Sequence, residues 1–246
     1  MQLSKAGLAD RKQWEEKGYR LPQFDREQMV AATTEAPYWV PFGAGNLFRA
    51  FQANVAQNLL NEGVLDRGIV VAEGYDYEIV EKMNRPHDDY SILVTLKADG
   101  SVEKTVVGSV AESLALDSEN ETDFGRLKEI FTTDSLQMAS FTITEKGYSL
   151  VNGKGETLAD VAEDFVAGPE KARSYIGKVS ALLYARYQAG EKPVAMVSMD
   201  NCSHNGTKLY DAVHTFAETW VKNGVAEAGF VAYIENPDQV SFPGTM

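Results

Sequence analysis

The chain has 246 residues with a formal net charge of -13, 44% hydrophobic and 24% charged residues, one cysteine and three histidines. This length buries a substantial core, whereas the acidic balance speaks against a nucleic-acid surface, which needs a basic patch. A single Cys202 excludes an internal disulfide framework, and the scattered His87, His204 and His214 offer no ligand cluster for zinc. No apolar run approaches a membrane span. The N-terminus, Met1-Gln2-Leu3-Ser4-Lys5, leads into charged residues rather than a signal-peptide core, so the expected location is cytoplasmic.

Residues 1–36 read as a helical or irregular extension. The first informative element follows at 37–49, where the apolar strand Pro37-Tyr38-Trp39-Val40-Pro41-Phe42 runs into Gly43-Ala44-Gly45 and then into a helix opening with Asn46-Leu47-Phe48-Arg49. Such a turn is a phosphate cradle: glycines let the backbone approach a pyrophosphate, and the unpaired amides and dipole of a helix start favour anionic oxygens. Only Gly43 and Gly45 match the dinucleotide fingerprint, because Phe48 stands at the third glycine. Leu47, Phe51, Val55 and Leu59 recur at four-residue spacing, which predicts the buried face of this helix, and Gly63 lies beyond its end. Gly68 to Gly74 reads as a second buried parallel strand, completing a βαβ unit. At its carboxyl end Glu73 stands where an acid binds the adenosine ribose, a charge that favours NAD over NADP. Arg49, on the first turn, can reach a pyrophosphate oxygen, although an arginine on a solvated face is the ordinary explanation.

Further along, Tyr90–Leu96 and Val102–Val107 flank Ala98-Asp99-Gly100-Ser101, a hairpin signal. A helix is expected around Phe124, Leu127, Ile130 and Phe131, and strands at Met138–Thr144 and Val194–Met199. Between those strands the pattern gives helices near Leu158–Phe165 and Tyr175–Tyr187, the second started by Gly168-Pro169 and ended by Gly190. A last helix carries Leu209, Val213, Phe216 and Trp220 on one stripe, and Ala228–Tyr233 reads as a final strand. The fold class that follows is α/β, a Rossmann-type doubly wound, mostly parallel sheet with a small antiparallel hairpin excursion.

Three polar segments fall where an open α/β sheet holds its ligands, just past strand ends: Thr142–Tyr148, Ser198–Gly206 and Asn236–Met246. Each alone is an ordinary loop composition. Together with the glycine turn they resemble the amino-terminal domain of the polyol-specific long-chain dehydrogenase/reductases, the family of mannitol dehydrogenase and the hexuronate reductases. The matching residues are Gly43-Ala44-Gly45-Asn46-Leu47-Phe48-Arg49-Ala50, Thr144-Glu145-Lys146-Gly147-Tyr148, Asp200-Asn201 with Asn205-Gly206, and Phe242-Pro243-Gly244-Thr245-Met246. The family's arginine after the glycines and its missing third glycine account for Arg49 and Phe48.

The resemblance spans residues 37–246 and implies an NAD-binding domain truncated before a helical C-terminal domain. That domain would carry the catalytic lysine, in a Lys-x-x-x-x-Asn-x-x-His pattern absent here, and most contacts to a small hexuronate or polyol substrate. Beside Glu73, assigned to the cofactor by its strand-end position, it further implies that Gly43, Gly45, Asn46, Leu47, Phe48, Arg49, Thr144 and Asp200 serve the cofactor, that Asn201 stabilises oxygen charge on the substrate, and that Glu145 lies near the proton path. The residues themselves offer no complete alcohol-oxidising set: Tyr-x-x-x-Lys occurs nowhere, Tyr175-Ile176-Gly177-Lys178 being one residue too short. The turn is closer to the hexuronate reductases, which implies interconversion of D-mannonate and D-fructuronate. Mannitol, other polyols and tagaturonate stay open, as do a noncatalytic NAD sensor and, more remotely, an S-adenosylmethionine methyltransferase.

Overall fold

The computed structural model describes residues 1–246, which pack as two compact units, Met1–Leu114 and Ala115–Met246. No helix is long and apolar enough to cross a membrane.

In the first unit the N-terminal segment is folded into the body. Short helices at Lys5–Leu8 and Arg11–Glu15 precede strand β1 (Tyr19–Arg20), and a helix at Arg26–Glu35 follows. Asp25 caps that helix by accepting the Gln28 amide. Strands β2 (Trp39–Phe42) and β3 (Ile69–Glu73) are buried at every position and run parallel, with Phe42 opposite Ala72. Their crossover is the helix Asn46–Ala50, continuing as Gln52–Asn61. Strands β4 (Ser91–Leu96) and β5 (Val102–Val107) form the expected antiparallel hairpin, Ser91 opposite Val107 through Leu96 opposite Val102, and β1 adds to β5 in parallel. Trp14, Leu21, Tyr90 and Val106 make a small core that ties the N-terminal segment to this hairpin. Strand β6 (Val110–Ala115), which the sequence reading did not anticipate, neighbours β3, giving the order β6-β3-β2.

The crossover helix corrects one expectation. Leu47, Phe51 and Val55 are 60%, 63% and 50% exposed, and the buried face carries Phe48, Gln52, Ala53, Ala56, Gln57 and Leu60. Small Ala53 and Ala56 let the helix approach its sheet closely. Gln57 belongs inside because its side chain donates to the Val106 carbonyl and accepts from the Gly108 amide.

The second unit alternates strand and helix as expected, with β7 (Met138–Phe141), β8 (Val194–Ser198) and β9 (Val240–Ser241) all parallel in that order. The helix Glu121–Thr132 buries Phe124, Leu127, Ile130 and Phe131, and Asn205–Lys222 buries Leu209, Val213, Phe216 and Trp220, the stripes read from the sequence. Residues Gly229–Glu235 form a helix, so the strand expected at Ala228–Tyr233 is wrong, and the last strand comes later at β9. Phe230, Tyr233 and Ile234 are its buried residues, a three- and four-residue spacing that belongs to a helix. Helix Tyr175–Gln188 starts at a Ser174 cap rather than at Gly168-Pro169, which form a separate short turn.

Arg186, on that helix, is fully buried and has no carboxylate partner. Its guanidinium instead donates to five carbonyls, those of Phe131, Thr133, Leu136, Lys192 and Pro193. It thereby joins the loops that lead into β7 and β8 and fixes where both strands begin.

Candidate functional site

In the first unit the site is built on the turn from β2 into its helix. Gly43 adopts φ 98°, a left-handed conformation that favours glycine, while its amide donates to the Ala72 carbonyl on β3 at 2.8 Å. Gly45 is the N-cap and supplies no capping side chain, so the helix opens with its first-turn amides uncapped. A side-chain carbon at Gly45 would meet nothing within 4 Å, so the space beside the N-cap is open. Asn46 is exposed beside that space and Phe48 is anchored in the core at 1% exposure.

Arg49 folds back over the turn, its Nε donating to the Ala44 carbonyl at 3.0 Å while one terminal nitrogen lies 3.8 Å from the Met83 sulfur. Burial pulls its guanidinium below the ordinary arginine range, and the Glu73 charge acts in the opposite sense. A half-buried guanidinium with no ion-pair partner is suited to receive an anion. Asn46, Arg49, Lys82, Met83, Asn84 and His87 are among the residues lining a cavity of about 410 Å³ at this place.

Glu73 is placed differently from the simplest expectation. It is 4% exposed, and its oxygens accept the amides of Ala44 at 2.7 Å, Tyr75 at 2.9 Å and Asp76 at 3.2 Å. Its charge therefore shapes the glycine turn and the turn after β3. Asp76, three residues on, is the exposed acid at this strand end.

In the second unit the strand ends bring Thr144, Glu145, Asp200 and Asn201 into one group of loops. Asp200, 6% exposed, accepts the Ile143 amide at 2.9 Å and the Thr144 amide at 3.0 Å, and the Tyr148 hydroxyl donates to it as well. That hydroxyl also lies 2.7 Å from Ser198 Oγ. Burial, and then the bond to Asp200, push the Tyr148 phenol far above its ordinary range, which keeps it a neutral donor. Thr144 has φ 65° and ψ 158°, a backbone region almost reserved for glycine. Asn201 is exposed directly after Asp200, and Glu145, also exposed, pairs with Lys208. Glu145, Tyr148, Leu150, Lys208, Asp211 and Thr215 line part of a second cavity of about 400 Å³.

The remaining motif residues form a latch. Asn205 is fully buried, and its Nδ2 donates to the carbonyls of Ser198 and Asp200 and to Thr245 Oγ1, while its Oδ1 accepts the Thr245 amide at 3.1 Å. A side chain at Gly206 would lie 2.7 Å from the carbonyl oxygens of Phe242 and Pro243. The sequence singled out Tyr148, Asn205 and Gly206 only as motif letters. Their roles are to hold loops, which needs three-dimensional contacts at separations of 40 and more residues to be seen.

Comparison with known proteins bears on both halves. The family profile described as the mannitol dehydrogenase Rossmann domain matches residues 38–246. D-mannonate oxidoreductase of Thermotoga maritima is 47% identical over 246 residues, covering 100% of this chain and 45% of that enzyme. Mannitol 2-dehydrogenase of Cereibacter sphaeroides is 29% identical over 226 residues, covering 83% of this chain and 43% of that enzyme. A solved ternary complex of Pseudomonas fluorescens mannitol 2-dehydrogenase with NAD and D-mannitol superposes with a TM-score of 0.77 at 25% identity, over 99% of this chain and 46% of that one. The chain thus spans about half the length of the relatives it matches.

Proposed function

Because the chain belongs to the mannitol dehydrogenase family through its Rossmann domain, we propose that it is the NAD(H)-binding part of an oxidoreductase interconverting D-mannonate and D-fructuronate. The observation that carries this reading is the Gly43–Arg49 turn, with uncapped helix amides, open space before Gly45 and a guanidinium without an ion-pair partner. The 47% identity to a D-mannonate oxidoreductase favours the sugar acid over mannitol, another polyol or tagaturonate. The cofactor when bound supplies the hydride acceptor or donor.

The residues of this chain would divide the work as follows. Gly43, Gly45 and the amides of Asn46, Leu47 and Phe48 receive the pyrophosphate, and Arg49 adds a charge-assisted donor. Glu73 contributes by fixing the turn, and Asp76 accepts from the ribose hydroxyls, disfavouring a 2′-phosphate. Thr144 and the backbone fixed by Asp200 border the reacting end of the cofactor. Asn201 donates to the substrate oxygen as its charge develops, and Glu145 stands beside the route by which its proton leaves. The proton acceptor itself and most substrate contacts come from a C-terminal domain following residues 37–246, in a cytoplasmic enzyme that binds neither nucleic acid nor membrane.

Calorimetric titration of the 246-residue chain tests the reading. Saturable NADH binding, with NADPH weaker by at least about tenfold, is expected, together with no turnover of D-mannonate. Absence of saturable NADH binding would overturn it, and robust turnover by this chain would overturn the division of labour between domains.

A further inference from the structure

Asp200 cannot serve a ligand directly in the arrangement seen here, because three protein donors already occupy its buried carboxylate. Two of those donors are consecutive amides of the loop after β7, and the second belongs to Thr144 with its φ of 65° and ψ of 158°. A β-branched residue leaves that region once nothing holds it, since the strain is relieved by rotating to ordinary extended backbone. Such a rotation would redirect Thr144 and Glu145 together. The third donor, Tyr148, closes the same loop four residues on. Gly147 lies between them and packs against Ile143 so tightly that a side-chain carbon there would sit 2.8 Å from it. On the other side of Asp200, its own carbonyl accepts the Cys202 amide at 2.9 Å and the Asn205 side chain at 3.0 Å, which pins the turn containing Asn201.

We propose that Asp200 and Tyr148 are a positioning pair: they hold Thr144 in its disfavoured backbone conformation and so set the ligand-facing loops at the ends of β7 and β8. The ligand half of this inference rests on the cofactor reading above. Neither residue touches the reacting atoms; both act through the backbone of Thr144 and Glu145.

The test uses NADH titration of the 246-residue chain combined with hydrogen exchange at the Thr144 amide. Asp200→Asn is the sharpest variant. In either orientation its side-chain amide nitrogen faces a backbone N–H of Ile143 or Thr144, so one of the two bonds is lost without a change of size. Exchange at Thr144 should accelerate and NADH affinity should fall by at least about tenfold. Tyr148→Phe, which leaves both amide bonds in place and is the milder disturbance to folding, should weaken affinity about threefold. In a Thr144→Gly background the conformation carries no strain, so Asp200→Asn should then weaken affinity by no more than about threefold. A role in stability alone would lower the melting temperature in both backgrounds and leave the two affinity ratios equal.

Equal ratios, or unaltered affinity in Asp200→Asn beside a wild type that binds, would overturn this inference while leaving the cofactor reading intact. Failure of the wild type to bind NADH would overturn the cofactor reading and, with it, the ligand half of this inference. The exchange measurement would still report whether the pair holds Thr144, slow exchange in Asp200→Asn counting against it.

Discussion

The two units use the same device at their strand ends and differ in what bears the awkward backbone. In each, a buried carboxylate at or just past the end of one parallel strand accepts from the loop after the neighbouring strand: Glu73 holds Ala44, and Asp200 holds Ile143 and Thr144. In the first unit the left-handed position is Gly43, which adopts φ 98° at little cost, and the carboxylate only aligns the turn. In the second it is Thr144, and the clamp must hold a residue that resists. With Gly43 and Ala44 already bonded, it is the uncapped helix start after Gly45 that is open to an anion. A clamped threonine instead fixes the direction of side chains. The difference fits the roles proposed above, phosphate recognition through backbone amides for the first unit and presentation of Thr144, Glu145 and Asn201 for the second.

The largest expected effect is loss of the clamp itself. Asp200→Ala should destabilise the chain by about 3–5 kcal/mol, because two buried amides and the Tyr148 hydroxyl lose their partner at once. Glu73→Ala should be milder, about 2–3 kcal/mol, since the turn it aligns is unstrained. Urea denaturation monitored by tryptophan fluorescence gives both values, and equal losses would contradict the contrast drawn between the two turns.

Next in size, Arg49→Ala should weaken NADH binding by about 1.5–3 kcal/mol, the range for hydrogen bonds to charged groups, with little change in the melting temperature of the free protein. Calorimetry showing equal affinity would remove Arg49 from the cradle.

Exchanging the backbone demands of the two turns should then give effects of opposite sign. Gly43→Ala should destabilise by about 1–2 kcal/mol, whereas Thr144→Gly should be neutral or stabilising by up to about 1 kcal/mol, relief of strain outweighing the entropy of the glycine. Thermal melts of the two variants decide this, and a clear loss in Thr144→Gly would mean that its backbone is not strained.

The smallest effect concerns cofactor choice. Asp76→Ala should lower the preference for NADH over NADPH by about 1 kcal/mol while Glu73→Gln leaves the ratio nearly unchanged, as read from paired titrations. The reverse pattern would return the ribose contact to Glu73.

How far the sequence foretold this arrangement depended on whether a signal was local. The glycine turn, the 91–107 hairpin and the stripe on the helix Asn205–Lys222 follow from spacing and turn chemistry, and they stand where expected. The crossover helix was misphased because Leu47, Phe51 and Val55 are large, whereas the face that packs carries Ala53, Ala56 and a glutamine whose partners lie 49 and 51 residues away. Strand and helix could not be told apart in the short apolar run at 229–235, where length gives no guidance. The strand-end position located Glu73 and the resemblance located Asp200, and both readings suggested ligand contacts. That their oxygens are taken by backbone amides is a matter of tertiary geometry, which no residue pattern carries.

Arg186 has a consequence for how the molecule responds to its solution. Most of the chain's ion pairs sit at the surface, among them Lys5 with Glu27 and Arg173 with Glu119, and dissolved salt screens such pairs readily. Arg186 itself makes no ion pair: a sealed cation is solvated there by carbonyl dipoles, much as water would solvate it, and Asp134 acts on it only at longer range. Rising ionic strength should therefore peel away the outer pairs, Lys192 with Asp134 among them, and leave the Arg186 bonds to the carbonyls before β7 and β8 in place, so that concentrated salt loosens the rim before it reaches the frame that carries the strand-end loops.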